Sequence, residues 1–357
     1  MNKEVKVRES NLELLRIVCM LYIILLHFLG HGLGALYGDF SFITFFNSFF
    51  LVAVNCFILV SGYFGIKATW KGFFHLYLMC VCYDIISIII LSFFGEFHFK
   101  EIIYSFFPFS HSGTLWFISD YIYLFLLSPM LNRIVDNISK KDFLIILLIW
   151  SVLTFYFGFF WYGSFNVNHG CSFVNFLFLY LIGRFISKYT KDIKTPRRSK
   201  TYFGLYLFCS LLIAGALLIY VSESKIYFRT LIGRIHAYNS PLVIVSSIFF
   251  FLFFRSLSVK SKTVNWLASS VLAAYLIHEG RLRNIIYEFI EKIGCQVNNG
   301  LLLGIYIFFI ALLFLIICIL IEKCRMIITN PVERLLNRIK WDDYVDKLID
   351  KLGGIIK

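Results

Sequence analysis

Apolar side chains run along this chain in blocks about 20 residues long, separated by short stretches that hold most of the charge. The blocks are too long for strands and lack period-two alternation, so the pattern predicts an all-α, polytopic membrane helix bundle. About ten transmembrane helices are expected, at roughly 12–33, 40–64, 72–94, 114–131, 143–161, 173–188, 202–221, 240–256, 265–279 and 300–321. Beyond Pro331 the pattern changes. Val332, Leu335, Leu336, Ile339, Val345, Leu348, Ile349 and Leu352 recur at helical spacing with charges between them. This predicts a C-terminal amphipathic helix lying on the membrane surface. The expected organisation is a transmembrane domain over 1–330 and an amphipathic cytoplasmic tail over 331–357.

The polar residues inside the blocks carry the chemistry, because an ionisable group at membrane depth is costly unless it has a use. The first block contains Glu13, Arg16 and His27. Arg16 and His27 are eleven residues apart, about three turns with about 20° of drift, so they share a helix face roughly 16 Å apart along the axis. Glu13 lies one turn before Arg16 and can pair with it. His27 falls near mid-membrane, and histidine titrates near neutral pH, which suits proton transfer. The competing reading is a histidine that only bonds a neighbouring helix. His27 and His31 are four residues apart, as metal ligands can be, but the sequence shows no carboxylate or third ligand beside them, so no metal site is expected. Asn55 and Ser61 must face other helices, and Ser61-Gly62 permits close backbone approach. Trp116, Asp120 and Tyr121 open the fourth block at its outer end, as interfacial anchors or a pocket wall. His278 closes the ninth block near the outer interface, where a solvated structural role competes with a catalytic one.

Composition agrees: 59% of the 357 residues are hydrophobic and 42 are Phe. The net charge of +13 does not indicate nucleic acid, because the cations sit in short loops between apolar blocks. They mass in alternate loops, around Lys3–Arg16, Lys67–Lys71, Arg133–Lys141, Lys188–Lys200, Arg255–Lys262 and after residue 321. By the positive-inside rule those loops and both termini are cytoplasmic. Most of the nine cysteines lie within apolar blocks as packing residues, whereas Cys171 and Cys295 fall in outer loops and can be paired on paper.

Several short motifs then line up in order: Asn11-Leu-Glu-Leu-Leu-Arg16 with His27, Ser61-Gly-Tyr-Phe64, Leu115-Trp-Phe117 with Leu127-Ser-Pro-Met-Leu-Asn132, Leu179-Tyr-Leu-Ile-Gly183, Tyr238-Asn-Ser-Pro241 and Tyr275-Leu-Ile-His278. As a set the sequence resembles the acyltransferase 3 family of membrane O-acyltransferases, most closely its Gram-positive surface-polysaccharide branch. The resemblance implies a multi-pass protein of the cell (plasma) membrane that uses acyl-CoA, most simply acetyl-CoA, as a cytoplasmic co-substrate. It implies a hydroxyl of a surface or lipid-linked glycan as acceptor, with no permanently bound cofactor. It also implies that Arg16 and His27 are functional. Where many members carry an Arg-x-x-Arg pair before the third span, this chain has Lys67, Lys71 and His75.

The resulting candidates are His27, Arg16 and Glu13 for catalysis; Lys67, Lys71, Asn55 and Ser61 for the donor; and Trp116, Asp120, Tyr121 and His278 for the acceptor or pocket. The partners expected are membrane lipids, acyl-CoA and a glycan. A transporter of a lipid-linked sugar or small metabolite is the rival class. Many transporters show paired inverted halves, and none is visible here. The topology is testable by single-cysteine labelling in a cysteine-free background. A cysteine at position 195 should react with an impermeant reagent only after the inner face is opened, and labelling in intact cells would overturn the orientation.

Overall fold

The computed structural model describes residues 9–34, 42–95, 99–109, 115–161, 168–190, 195–222, 234–297 and 299–339, and every regular element among them is helical. In chain order these are α1 (Ser10–His27, continued by a π turn over Phe28–Gly32), α2 (Phe42–Phe50), α3 (Val52–Phe64), α4 (Trp70–Ser92), α5 (Phe99–Ser105), α6 (Trp116–Asn137) and α7 (Lys140–Val152, then a π segment to Phe160). They continue with α8 (Phe173–Tyr189), α9 (Pro196–Ser222), α10 (Pro241–Arg255), α11 (Lys262–Ala268), α12 (Leu272–His278), α13 (Arg283–Gln296) and α14 (Gly300–Leu336).

Several helices start where the sequence supplies an acceptor for their unpaired first N–H groups. Thr69 Oγ1 accepts from Gly72 N, Ser139 Oγ from Asp142 N, Ser261 Oγ from Val264 N and Asn299 Oδ1 from Leu302 N. Pro241 opens α10, where its missing N–H costs nothing.

Among the described residues, seven helices are each long and apolar enough to cross a membrane: Ser10–Gly32, Phe45–Phe64, Trp70–Ser92, Lys140–Phe160, Pro196–Ala216, Arg234–Arg255 and Gly300–Leu336. Their outward residues include Ile89, Leu148 and Leu301, at 52%, 66% and 73% exposure, as a lipid-facing surface requires. The expected fourth and sixth spans are also helical, as α6 and α8, but are more polar or shorter than the seven. The expected ninth span is not one helix: it breaks at Ser269–Val271 into the two seven-residue pieces α11 and α12. Another difference is α14, which runs without interruption through Pro331 to Leu336. Most of the expected amphipathic tail, residues 340–357, lies outside the described residues. Cys171 and Cys295 are both free thiols.

α1 is the centre of the bundle and touches α2, α3, α10, α11, α12 and α14. Its start is anchored by its own polar residues. The Asn11 side chain donates to the carbonyls of Phe254 and Arg255 at the end of α10, both at 3.1 Å, and Ser261 N donates to Ser10 Oγ at 3.1 Å. Beside α1, α3 and α8 cross at a contact made of glycines. A Cβ on Gly62 would stand 2.3 Å from the Tyr180 carbonyl oxygen, and one on Gly183 would stand 2.5 Å from the Leu59 carbonyl oxygen. The sequence expectation of a close approach at Ser61-Gly62 is met by Gly62; Ser61 instead turns its hydroxyl back to the Phe57 carbonyl, at 2.9 Å.

The loop after α3 is tied down at the same end. Tyr180 O–H donates to Asn132 Oδ1 at 2.7 Å and accepts from Ile66 N at 3.1 Å, while Asn132 Nδ2 donates to the Ile66 carbonyl at 2.9 Å. Gly62→Val should therefore fail where Gly204→Ala, a glycine with open space around it, succeeds. Backbone cannot yield as a side chain can, so the expected loss is about 3 kcal/mol or more. Monodisperse yield and thermal unfolding of the purified proteins would measure it.

Candidate active site

α1 ends in a π turn: Leu33 N reaches back to the Phe28 carbonyl at 3.0 Å. Such turns are frequent at functional sites. Here the wider turn brings the exposed His31 ring against His27, centroids 5.3 Å apart, and against Tyr287 at 5.5 Å. From the other side α12 delivers His278, which is completely buried. His27 Nδ1 and His278 Nε2 lie 2.9 Å apart, and His278 Nδ1 lies 2.5 Å from the Ala274 carbonyl oxygen.

These two contacts settle where the protons are. A carbonyl only accepts, so His278 Nδ1 carries a hydrogen. In neutral His278 the Nε2 then has the lone pair, and His27 Nδ1 is the donor between the rings. His27 Nε2 is left with its lone pair, ready to take a proton.

Glu279, directly after His278, completes the cluster. Its Oε1 lies 3.3 Å from His27 Nδ1 and accepts from Tyr287 O–H, and its Oε2 lies 3.9 Å from the Arg283 guanidinium. Glu279 is 4% exposed, so these groups take the place of water.

His27 also lines a narrow slot of about 20 Å³, enough for one water, with Met20, Ile23, Val54, Phe57, Trp116, Phe117, Tyr238, Leu272 and Tyr275. Arg16, Met20, Ile23 and His27 fall at i, i+4, i+7 and i+11, so the slot follows the face of α1 that connects the two polar residues. At the other end of that face the Arg16 guanidinium lies 3.2 Å from both Glu13 oxygens.

The other candidates separate into groups. Trp116 is a slot wall, packed on Phe176 and Tyr238. Tyr121 stacks on Phe117 one layer behind the slot. Asp120 is half-buried and is not among the slot residues. Asn55 is fully buried and donates to the Tyr238 carbonyl at 2.9 Å, which places it beside the slot and away from Lys67 and Lys71. Those two lysines are exposed, on the loop and first turn between α3 and α4. His278 is completely buried, which removes the solvated one of its two sequence readings.

Glu279, Arg283 and Tyr287 were not anticipated. The last two sit on α13, in a stretch read from sequence as an outer loop. Ile285, Ile286, Phe289, Ile290 and Ile293 at helical spacing were the available signal. The absence of a carboxylate near His27 and His31 was likewise an artefact of sequence distance, because Glu279 supplies it.

The bundle of membrane-length helices therefore holds a buried histidine pair beside an internal slot. A family model described as an acyltransferase domain matches residues 9–323, and the chain belongs to this acyltransferase 3 family. No curated protein and no solved structure matches it. The protein is a membrane acyltransferase.

If His278 holds the His27 tautomer, His278→Ala should lower kcat on the order of 10–100-fold with little change in the donor KM. His278→Gln, whose side-chain carbonyl can still accept from His27 Nδ1, should recover part of that loss. Equal losses in both variants would make His278 a packing residue only.

Proposed function

We propose that the protein transfers an acyl group, most simply acetyl from acetyl-CoA, to a hydroxyl of a cell-surface or lipid-linked glycan, across the plasma membrane. The observation that carries this reading is the hydrogen-bond chain Ala274–His278–His27, which leaves His27 Nε2 basic at the wall of the slot. In the positive-inside orientation the Arg16 end of α1 is cytoplasmic and the His27 end lies in the outer half.

The acyl-CoA phosphates then meet cations on the inner face. Lys67 and Lys71, both exposed on the loop and first turn between α3 and α4, are suited to them, because lysine serves phosphate as a point charge. Arg16, held by Glu13, orients the donor where its arm enters. Roughly 16 Å from His27, Arg16 is too far to stabilise charge developing at that ring, so its role belongs to the donor. The thin, uncharged pantetheine arm would follow the α1 face past Met20 and Ile23, which requires the slot to widen beyond the one water it has room for, and would bring the thioester carbonyl near His27. Asn55 and Trp116 go with the acceptor side, by their place beside the slot.

In the chemical step His27 Nε2 removes the acceptor hydroxyl proton as the oxygen attacks the thioester carbonyl. The C–S bond breaks, and the proton passes to the coenzyme A thiolate, so an ester and free thiol leave. While His27 is an imidazolium, Glu279 stands 3.3 Å from its Nδ1 and stabilises the charge.

The test pairs the host envelope with the purified protein. Deletion should remove ester-linked acetyl groups from an envelope glycan. His27→Ala should insert normally yet restore none of them, and in vitro its transfer should fall by about 10²-fold or more. Near wild-type transfer by His27→Ala would end this mechanism.

A further inference from the structure

We propose that His27, His31 and Glu279 form a binding site for a zinc-type dication, and that occupancy of this site shuts the acyltransferase off. The first half stands on geometry alone; the second rests on the catalytic role of His27.

One ligand atom from each of the three residues can be chosen so that all lie within 4.8 Å of one another. Two imidazoles and a carboxylate are a common zinc donor set, with a fourth position left for water. The surroundings have the form that metal ligands need. A ligating histidine normally donates its other N–H to a fixed partner, and His27 Nδ1–H is directed to His278 Nε2. A ligating carboxylate is normally steadied by a hydrogen bond, and Glu279 Oε1 accepts one from Tyr287, while Oε2 has the Arg283 guanidinium 3.9 Å away, a charge contact that a dication would have to displace. These are the same contacts that prepare His27 as a base.

His31 distinguishes the two. It has no place in the proton chemistry, and its contacts are ring packing on His27 and Tyr287. It is exposed, whereas Glu279 is buried and His27 half-buried, so it offers the entry from solvent. The π turn is what sets His31 over His27. Zinc on His27 removes the base whichever ring nitrogen it takes: at Nε2 it occupies the lone pair that would receive the acceptor proton, and at Nδ1, 3.3 Å from Glu279, it leaves Nε2 to carry the hydrogen. No oxidation or reduction is involved; binding displaces water and any proton on the ligands.

The experiment uses the full-length protein in nanodiscs with Co²⁺ as the spectroscopic probe. Wild type should develop the visible absorption of four-coordinate cobalt, and Zn²⁺ should abolish it. Zn²⁺ should also inhibit acyl transfer, and a chelator should reverse the inhibition. His31→Phe keeps a ring against His27 and Tyr287 but removes the ligand, so it should retain the basal rate. In that variant the cobalt spectrum should be lost and the zinc midpoint should rise about tenfold or more. Cys295 and Cys324 are exposed thiols, so every arm is run with both changed to serine. An unchanged spectrum and zinc midpoint in His31→Phe would overturn the site. The cobalt signal needs no turnover. Cobalt binding without inhibition would refute the shut-off alone, and binding in a protein that transfers no acyl group would refute the catalytic reading and leave the site standing.

Discussion

Everything in this molecule answers to one constraint: a polar group inside an apolar bundle must find a partner there. α1 carries the polar residues, and the rest of the fold is arranged to receive them. Asn11 finds the last carbonyls of α10, Arg16 finds Glu13, and His27 finds His278 and Glu279. The same rule applies away from the site. Arg325, 4% exposed, is gripped by Glu322 at 2.7 and 2.8 Å and by Thr329 at 3.1 Å, and Tyr83 from α4 donates to the same Glu322. Arg281 is likewise held between Asp84 and Glu101, which ties α4 and α5 to the segment just after Glu279.

Precision at the site comes from packing that has no chemistry of its own. Gly62 and Gly183 let α3 and α8 approach to backbone contact, and α3 in turn packs on α1. Val54 and Phe57 of α3 thereby become the wall opposite Met20 and Ile23. The break at Ser269–Val271 has a similar effect. A straight helix over 265–279 would have a single axis, whereas α11 packs on the start of α1 and α12 presents His278 near its end. Helices of seven residues have little stability alone, so tertiary contacts hold this arrangement.

Much of this was legible in the sequence. The helical class, the shared face of Arg16 and His27, the Glu13–Arg16 pair and the tight approach at Gly62 all follow from period and residue size. Those features are local to one helix, or to one helix and whatever meets it. What remained hidden depends on two distant segments. The Ala274 carbonyl decides the tautomer of a ring some 250 residues earlier, and no spacing rule connects them. Glu279 stood in plain view next to His278, but its ligand-like position beside His31 exists only after α12 folds against α1. The helix carrying Arg283 and Tyr287 was missed because its charged face resembles an exterior loop.

The hydrogen-bond chain also has a direction that matters to a membrane. It ends on the Ala274 carbonyl, which accepts a hydrogen bond but does not take up a proton at physiological pH. A proton arriving at His27 can leave through Nε2 or toward Glu279, and it has no onward path through His278. The buried pair is therefore a cul-de-sac rather than a relay. With the proposed proton transfer at His27, such a dead end would insulate this route against leakage of a transmembrane proton gradient.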